Sequence, residues 1–118
     1  MDLTIYRGDT TRLNLLVVLA GAAYDLTGHN IWFTAKQSFL DADVSAVFQK
    51  STTGGGIVIT SALNGRAQIT ISPIDTEGLT NIKSLLVYDC QVESPGGDVY
   101  TVSYGNLIVL PDVTLTRV

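Results

Sequence analysis

Residues 56–72 read GIVITSALNGRAQITIS, and this stretch decides the fold class. Two β-prone segments, GIVIT (56–60) and RAQITIS (66–72), flank a short break, SALNG. Asn64-Gly65 inside that break is a hairpin signal, because both residues tolerate positive φ. The stretch therefore predicts two antiparallel strands joined by a tight turn.

The same period of two extends outward in both directions. Upstream, LTIY (3–6) is short and β-prone, and RLNLLVVL (12–19) places Leu13, Leu15, Val17 and Leu19 on one face. IWFTAK (31–36) sets Ile31, Phe33 and Ala35 against Trp32, Thr34 and Lys36. Downstream, SLLVYDCQVE (84–93) buries Leu86, Tyr88, Cys90 and Val92 and turns Asp89 and Gln91 outward. PGGD (95–98) is a tight turn into VYTVSYGNLIVLPD, which reads as one bulged strand or two, with Gly105 at the bulge. PIDTEGL (73–79) suits a single helical turn, with Pro73 near its start and Gly78 at its end. The least regular part is 37–55, with a short edge strand at AVFQK and a flexible Gly54-Gly55-Gly56 loop. Seven or eight strands with frequent turns predict an all-β, immunoglobulin-like antiparallel sandwich, expected to form one domain over 1–118.

Composition narrows the function. In 118 residues, 46% are hydrophobic and 15% charged, against roughly 25% charged in an average domain. Mean hydropathy is +0.30, so apolar surface is expected to remain after the core is filled, and such surface marks a protein contact. The net charge of -4 comes with only seven scattered basic residues. Nucleic-acid binding needs a basic patch that displaces counterions, so no nucleic-acid partner is expected. One cysteine excludes an internal disulfide and a cysteine-rich zinc site. MDLTIY has no basic n-region and is not expected to act as a signal peptide, and no apolar run approaches the ~20 residues of a membrane span.

The order of motifs resembles the N-terminal domain of the upper baseplate protein family of tailed phages. The residues that carry it are Arg7-Gly8-Asp9, Asp25-Leu26-Thr27-Gly28, Ile31 to Ala35, Gly54 to Ile59, Asn64 to Ile71, Tyr88 to Val92 and Pro111-Asp112-Val113-Thr114. The resemblance implies an immunoglobulin-like sandwich serving as a structural virion protein, in a baseplate, tail tip or fibre attachment. Its implied partners are other tail or baseplate proteins, in a homo-oligomer or ring assembled in the host bacterial cytoplasm. It also bears on IYRGDTT (5–11), whose Arg-Gly-Asp is a tripeptide that extracellular ligands offer to integrins. A phage protein meets no integrin during assembly, so the tripeptide reads as the bend between the first two strands.

His29 is the only histidine and has no G-x-S-x-G elbow beside it, so it reads as a turn residue. Cys90 reads as a small core residue, with Asp89 and Glu93 as near neighbours instead of the cation a thiolate needs. Asp41 and Asp43 lack the spaced third ligand of a calcium loop. Gly54 to Gly56 precede a strand, whereas a phosphate cradle opens a helix. Glu77 and Glu93 are the only glutamates and nothing in the sequence links them. No catalysis, cofactor or metal is expected.

Contact surfaces are the alternative. Trp32 alternates away from Phe33 and should point outward as an interface anchor, or else lie under a loop or in a second, smaller core. Leu16, Val18, Leu85 and Val87 lie opposite the inward faces, closing a two-sided sheet or forming an adhesive patch to which Tyr100 and Tyr104 contribute. Free strand edges add backbone pairing. The competing function is a carbohydrate-binding module, in which Trp32 and loop tyrosines stack on a host surface glycan.

Overall fold

The alternating stretch at 84–93 forms β9 (Ser84–Glu93), the middle strand of the larger sheet. The computed structural model describes residues 1–80 and 82–114; residues 81 and 115–118 of the expected domain lie outside the described residues. Before β9 come β1 (Leu3–Tyr6), β2 (Thr11–Leu16), β3 (Val18–Leu19), β4 (Ala22–Ala23), β5 (Asn30–Lys36), β6 (Phe48–Ser51), β7 (Ile57–Ser61), β8 (Arg66–Ile71) and the helical turn α1 (Pro73–Glu77). β10 (Val99–Leu110) follows it.

One sheet has the order β1-β10-β9-β5-β6, the other β2-β8-β7, and β3-β4 is a separate ribbon. Leaving out β1 and the ribbon, the strands take the B-E-D and G-F-C-C′ neighbourhoods of an immunoglobulin variable-type sandwich. The core lies between the sheets. Ile31, Phe33 and Ala35 from β5, and Leu86, Tyr88, Cys90 and Val92 from β9, meet Ala67, Ile69 and Ile71 from β8. Phe33 stacks between Tyr88 and Phe48, at centroid distances of 5.2 and 6.0 Å. The expected inward faces of β5 and β9 are therefore the buried ones.

Four expectations need correction. The sandwich is not antiparallel throughout, because β1 runs parallel to β10. Arg7-Gly8 makes the expected bend between the first two strands and carries the chain across to the other sheet. Gly8 has φ 78°, and its N–H donates to the buried Thr76 hydroxyl at 2.8 Å. Leu19 does not continue the inward row of Leu13, Leu15 and Val17; it is 67% exposed. The strand breaks at Val17, whose N–H donates to the Gly65 carbonyl and whose carbonyl accepts from Tyr24. Val18 and Leu19 then leave as a ribbon that turns at Ala20-Gly21, both with positive φ.

The bulge in β10 falls between Thr101 and Ser103, while Gly105 keeps its register opposite Tyr88. Glycine stands at 105 because the Met1 backbone crosses directly over it, where a Cβ would collide. Finally, the 54–56 loop is not loose. Gly54 N–H donates to the Ser51 hydroxyl at 2.6 Å, and the Gly55 and Ser51 backbones bond each other in both directions. The edge-strand expectation for AVFQK is met by β6 at the end of its sheet.

The 56–72 hairpin forms, with a turn different from the one Asn64-Gly65 suggests. Ala62–Asn64 make a 3-10 turn and only Gly65 takes positive φ, at 67°. A Cβ on Gly65 would sit 2.5 Å from the Val17 carbonyl oxygen and 2.8 Å from that of Tyr24. Gly21 (φ 80°) has open space around it. Gly21→Ala should therefore cost only the left-handed penalty, about 1 kcal/mol. Gly65→Ala should cost at least about twice that, since backbone must also move. Chemical denaturation of the two variants measures the difference.

Candidate functional site

The five-stranded sheet presents its outer face as a trough of about 590 Å³. Register builds it. Across β5, β9 and β10, Trp32 lies opposite Gln91, which lies opposite Thr101; one row on, Thr34, Asp89 and Tyr104 align. Gln49 of β6 adds a fourth strand, its amide donating to the Thr34 hydroxyl at 3.0 Å. Phe39 and Asp43, from the segment after β5, border the trough. Asp43 is held by Lys36 at 2.7 Å. Trp32 is half-buried on this outer face, so it belongs neither to the core nor to a second one. Leu85 is exposed and Val87 half-buried on the same face.

Asp89 sits at the centre of the trough. Burial raises its carboxyl above the ordinary value, with Lys36 pulling it back down and Asp43 pushing it further up. Among the described residues, no side chain or amide donates a hydrogen bond to this carboxylate.

A second surface lies at one end of the sandwich. Leu16, Val18, Leu19 and Tyr100 line a cleft of about 540 Å³ with Tyr24 and Val102, over the buried Val17 and Val92. Among the described residues, both walls carry unpaired backbone. β2 is an edge strand, and β1 pairs only with residues 107–110 of β10. The Met1 ammonium bonds the Tyr104 carbonyl and Asp2 bonds the Asn106 N–H, so the open stretch of β10 is 99–103.

The expected single patch is therefore two. Tyr100 and Tyr104, four residues apart, would share a face of a regular strand. The bulge at Thr101/Ser103 inserts one residue, so Tyr100 aligns with inward-facing Val92 and Tyr104 with outward-facing Asp89. Leu16, Val18 and Tyr100 belong to the end cleft, Trp32 and Tyr104 to the trough. The polar side chains of the trough, Gln49, Asp89, Gln91 and Glu93, were not among the expected site residues. For Asp89, Gln91 and Glu93 the signal was the alternation of β9 itself, readable once Trp32 is known to share its outer face.

The remaining candidates are occupied by the fold. Arg7 donates to the carbonyls of Leu79 at 3.0 Å and Glu77 at 2.6 Å, and pairs with Asp112 at 3.0 Å. Its guanidinium closes the end of α1 and is not presented to a receptor. The His29 ring bonds the Thr27 carbonyl and the Tyr24 hydroxyl, each at 3.0 Å. Asp25 accepts from the Thr27 hydroxyl and N–H, and those bonds hold its carboxyl below the ordinary range. Asp41 is engaged with Ser38. Among the described residues, no three His, Cys, Asp or Glu side chains converge as metal ligands, and no helix is long and apolar enough to cross a membrane.

No protein-family model matches the chain, and no curated protein matches it. A solved structure of murine CRIg, an immunoglobulin-like domain, aligns over 92% of this chain and 90% of that one, at 10% identity and a TM-score of 0.40.

Two outcomes test these placements. Cys90 is buried, and its thiol is pushed up to about 12 by desolvation, with Asp89 adding to the shift. Iodoacetamide should leave the native protein unlabelled at neutral pH and modify Cys90 only on unfolding. Asp89 is penalised while ionised, so the protein should gain stability from this group as pH falls through its raised folded value toward 3.8. Asp89→Asn should melt higher than the parent at neutral pH, and the gap should close in acid.

Proposed function

We propose that the chain is an immunoglobulin-like docking module of a tailed-phage particle, a part of its baseplate, tail tip or fibre attachment, acting by contact and not by catalysis. The observation that carries the docking reading is the end cleft, where two strand edges, unpaired among the described residues, flank an apolar floor. Such a site suits an extended segment of a neighbouring protein. Backbone pairing along β2 or β10 supplies affinity, and alternate apolar side chains fill the cleft between Leu16, Val18 and Tyr100.

The phage assignment is supported by the ordered resemblance running from Arg7-Gly8-Asp9 to Pro111-Asp112-Val113-Thr114. On this reading the partners are other tail or baseplate proteins, the module repeats as a homo-oligomer or ring, and assembly takes place in the host cytoplasm before the module resides in the virion. A net charge of -4 suits contact with protein and not with nucleic acid.

Leu16→Asp and Val18→Asp place charges on half-exposed cleft walls and should leave the fold intact by circular dichroism. Quantitative mass spectrometry of gradient-purified particles should find the parent chain at a fixed copy number and the variants depleted at least about tenfold, the loss expected from charging an apolar contact. Particles lacking the parent chain, or carrying the folded variants at parental level, would refute the assignment.

A further inference from the structure

The trough on the five-stranded sheet has a different chemistry from the end cleft and faces another way. Its aromatic side chains, Trp32 on β5 and Tyr104 on β10, stand two strands apart and one row along, about 12 Å by ordinary strand geometry. Between and beside them β9 presents Asp89, Gln91 and Glu93, and Gln49 stands on the far side of Trp32. Among the described residues, the Trp32 indole N–H, the Tyr104 hydroxyl and the two carboxylates make no hydrogen bond within the protein. The volume of about 590 Å³ falls in the usual range of small-ligand sites.

We propose that this trough binds a neutral oligosaccharide. The ligand must bring hydrogen-bond donors, because Asp89 and Glu93 when ionised are acceptors only, while Gln49 and Gln91 both give and accept. It must also bring apolar faces for the two rings, and a pyranose carries C–H faces with hydroxyls at its rim. It should be uncharged or nearly so. Asp43, Asp89 and Glu93 outnumber Lys36, whose ammonium is already bonded to Asp43 and to the Asp41 carbonyl. Phosphates, sulfated sugars and sialylated sugars would meet net negative charge. An apolar peptide would strip water from both carboxylates and both amides without replacing their bonds. The rigidity of the site supports the same ligand class, since every one of these polar groups sits on a strand and Asp89 is already partly desolvated.

Trp32 is the only tryptophan of the chain, so its emission reports the site directly. The intact protein would be titrated with neutral oligosaccharides built from glucose, galactose, mannose and N-acetylhexosamine units, at low and high salt, with a lysine-rich peptide in parallel. The expected result is a saturable change in emission with at least one sugar, insensitive to salt. Asp89→Asn and Tyr104→Ala, each checked for folding, should weaken it roughly tenfold, the loss of one charge-assisted bond or one ring contact. Leu16→Asp should leave it unchanged. Two results would overturn the inference: no saturable response to any sugar, or a response to the peptide alone that salt abolishes, which would mark a site for a cationic polypeptide. Neither result touches the docking assignment, which rests on the other cleft and on variants in β2 and β3.

Discussion

The register of β9 between β10 and β5 is the constraint on which everything else hangs. Its ten residues, Ser84–Glu93, alternate without interruption; the strand pairs along its length with β10, and from Val87 to Glu93 with β5 as well. Leu86, Tyr88, Cys90 and Val92 thereby reach the core, while Val87, Asp89, Gln91 and Glu93 form the spine of the trough. A slip by one residue would exchange the two sets, placing two acids and an amide against Phe33 and the β8 isoleucines. Burial of unpaired carboxylates costs far more than any alternative pairing returns, so core and surface are specified together.

Around that spine the structure is closed by a few polar fastenings instead of a second core. Arg7 ties the β1–β2 crossing to the end of α1 and to Asp112, and Gly8 hangs on the hydroxyl of Thr76. Lys50 reaches Asp75 at 2.7 Å, and the same carboxylate accepts the N–H of Ser72 at 2.6 Å, joining β6 to the start of α1. These groups are mostly buried, which gives such bonds more weight than surface ion pairs have. Three of the seven cations, Arg7, Lys36 and Lys50, have carboxylate partners within the fold, whereas Arg12, Arg66 and Lys83 are exposed.

Much of this was legible in the chain. Strands with strict alternation, β5 and β9, disclosed which side chains are buried, because period two leaves no other arrangement for Ile31, Phe33 and Ala35 or for Leu86 to Val92. Pro73 and Gly78 bracketed the helical turn, and Asn64-Gly65 marked a hairpin. What stayed hidden depends on partners distant in sequence. Nothing in LTIY states that it will lie parallel to 107–110. The break at Val17 follows from the Gly65 carbonyl claiming its N–H, a contact 48 residues away by subtraction of the two numbers. Gly105 looked like a bulge because glycine serves both bulges and close approaches, and here the close approach of Met1 accounts for it. The true bulge at Thr101/Ser103 carries no glycine, so the division of one expected patch into two surfaces had no mark in the sequence.

The parallel seating of β1 on β10 has a mechanical side as well. Leu3 lies beside Leu107 and Tyr6 beside Leu110, so the two strands run in the same direction past each other. Tension entering through β1 and leaving through β10 pulls them in opposite senses along their common axis. The hydrogen bonds between them are then loaded in shear, all at once, instead of being peeled one after another. Arg7 and its partners stand at the end of that seam, on the load path itself. Resistance to pulling is a property of the barrier to unfolding and not of equilibrium stability, and the seam that would carry the load here comprises the four paired residues, the Met1 and Asp2 bonds at one end and Arg7 at the other.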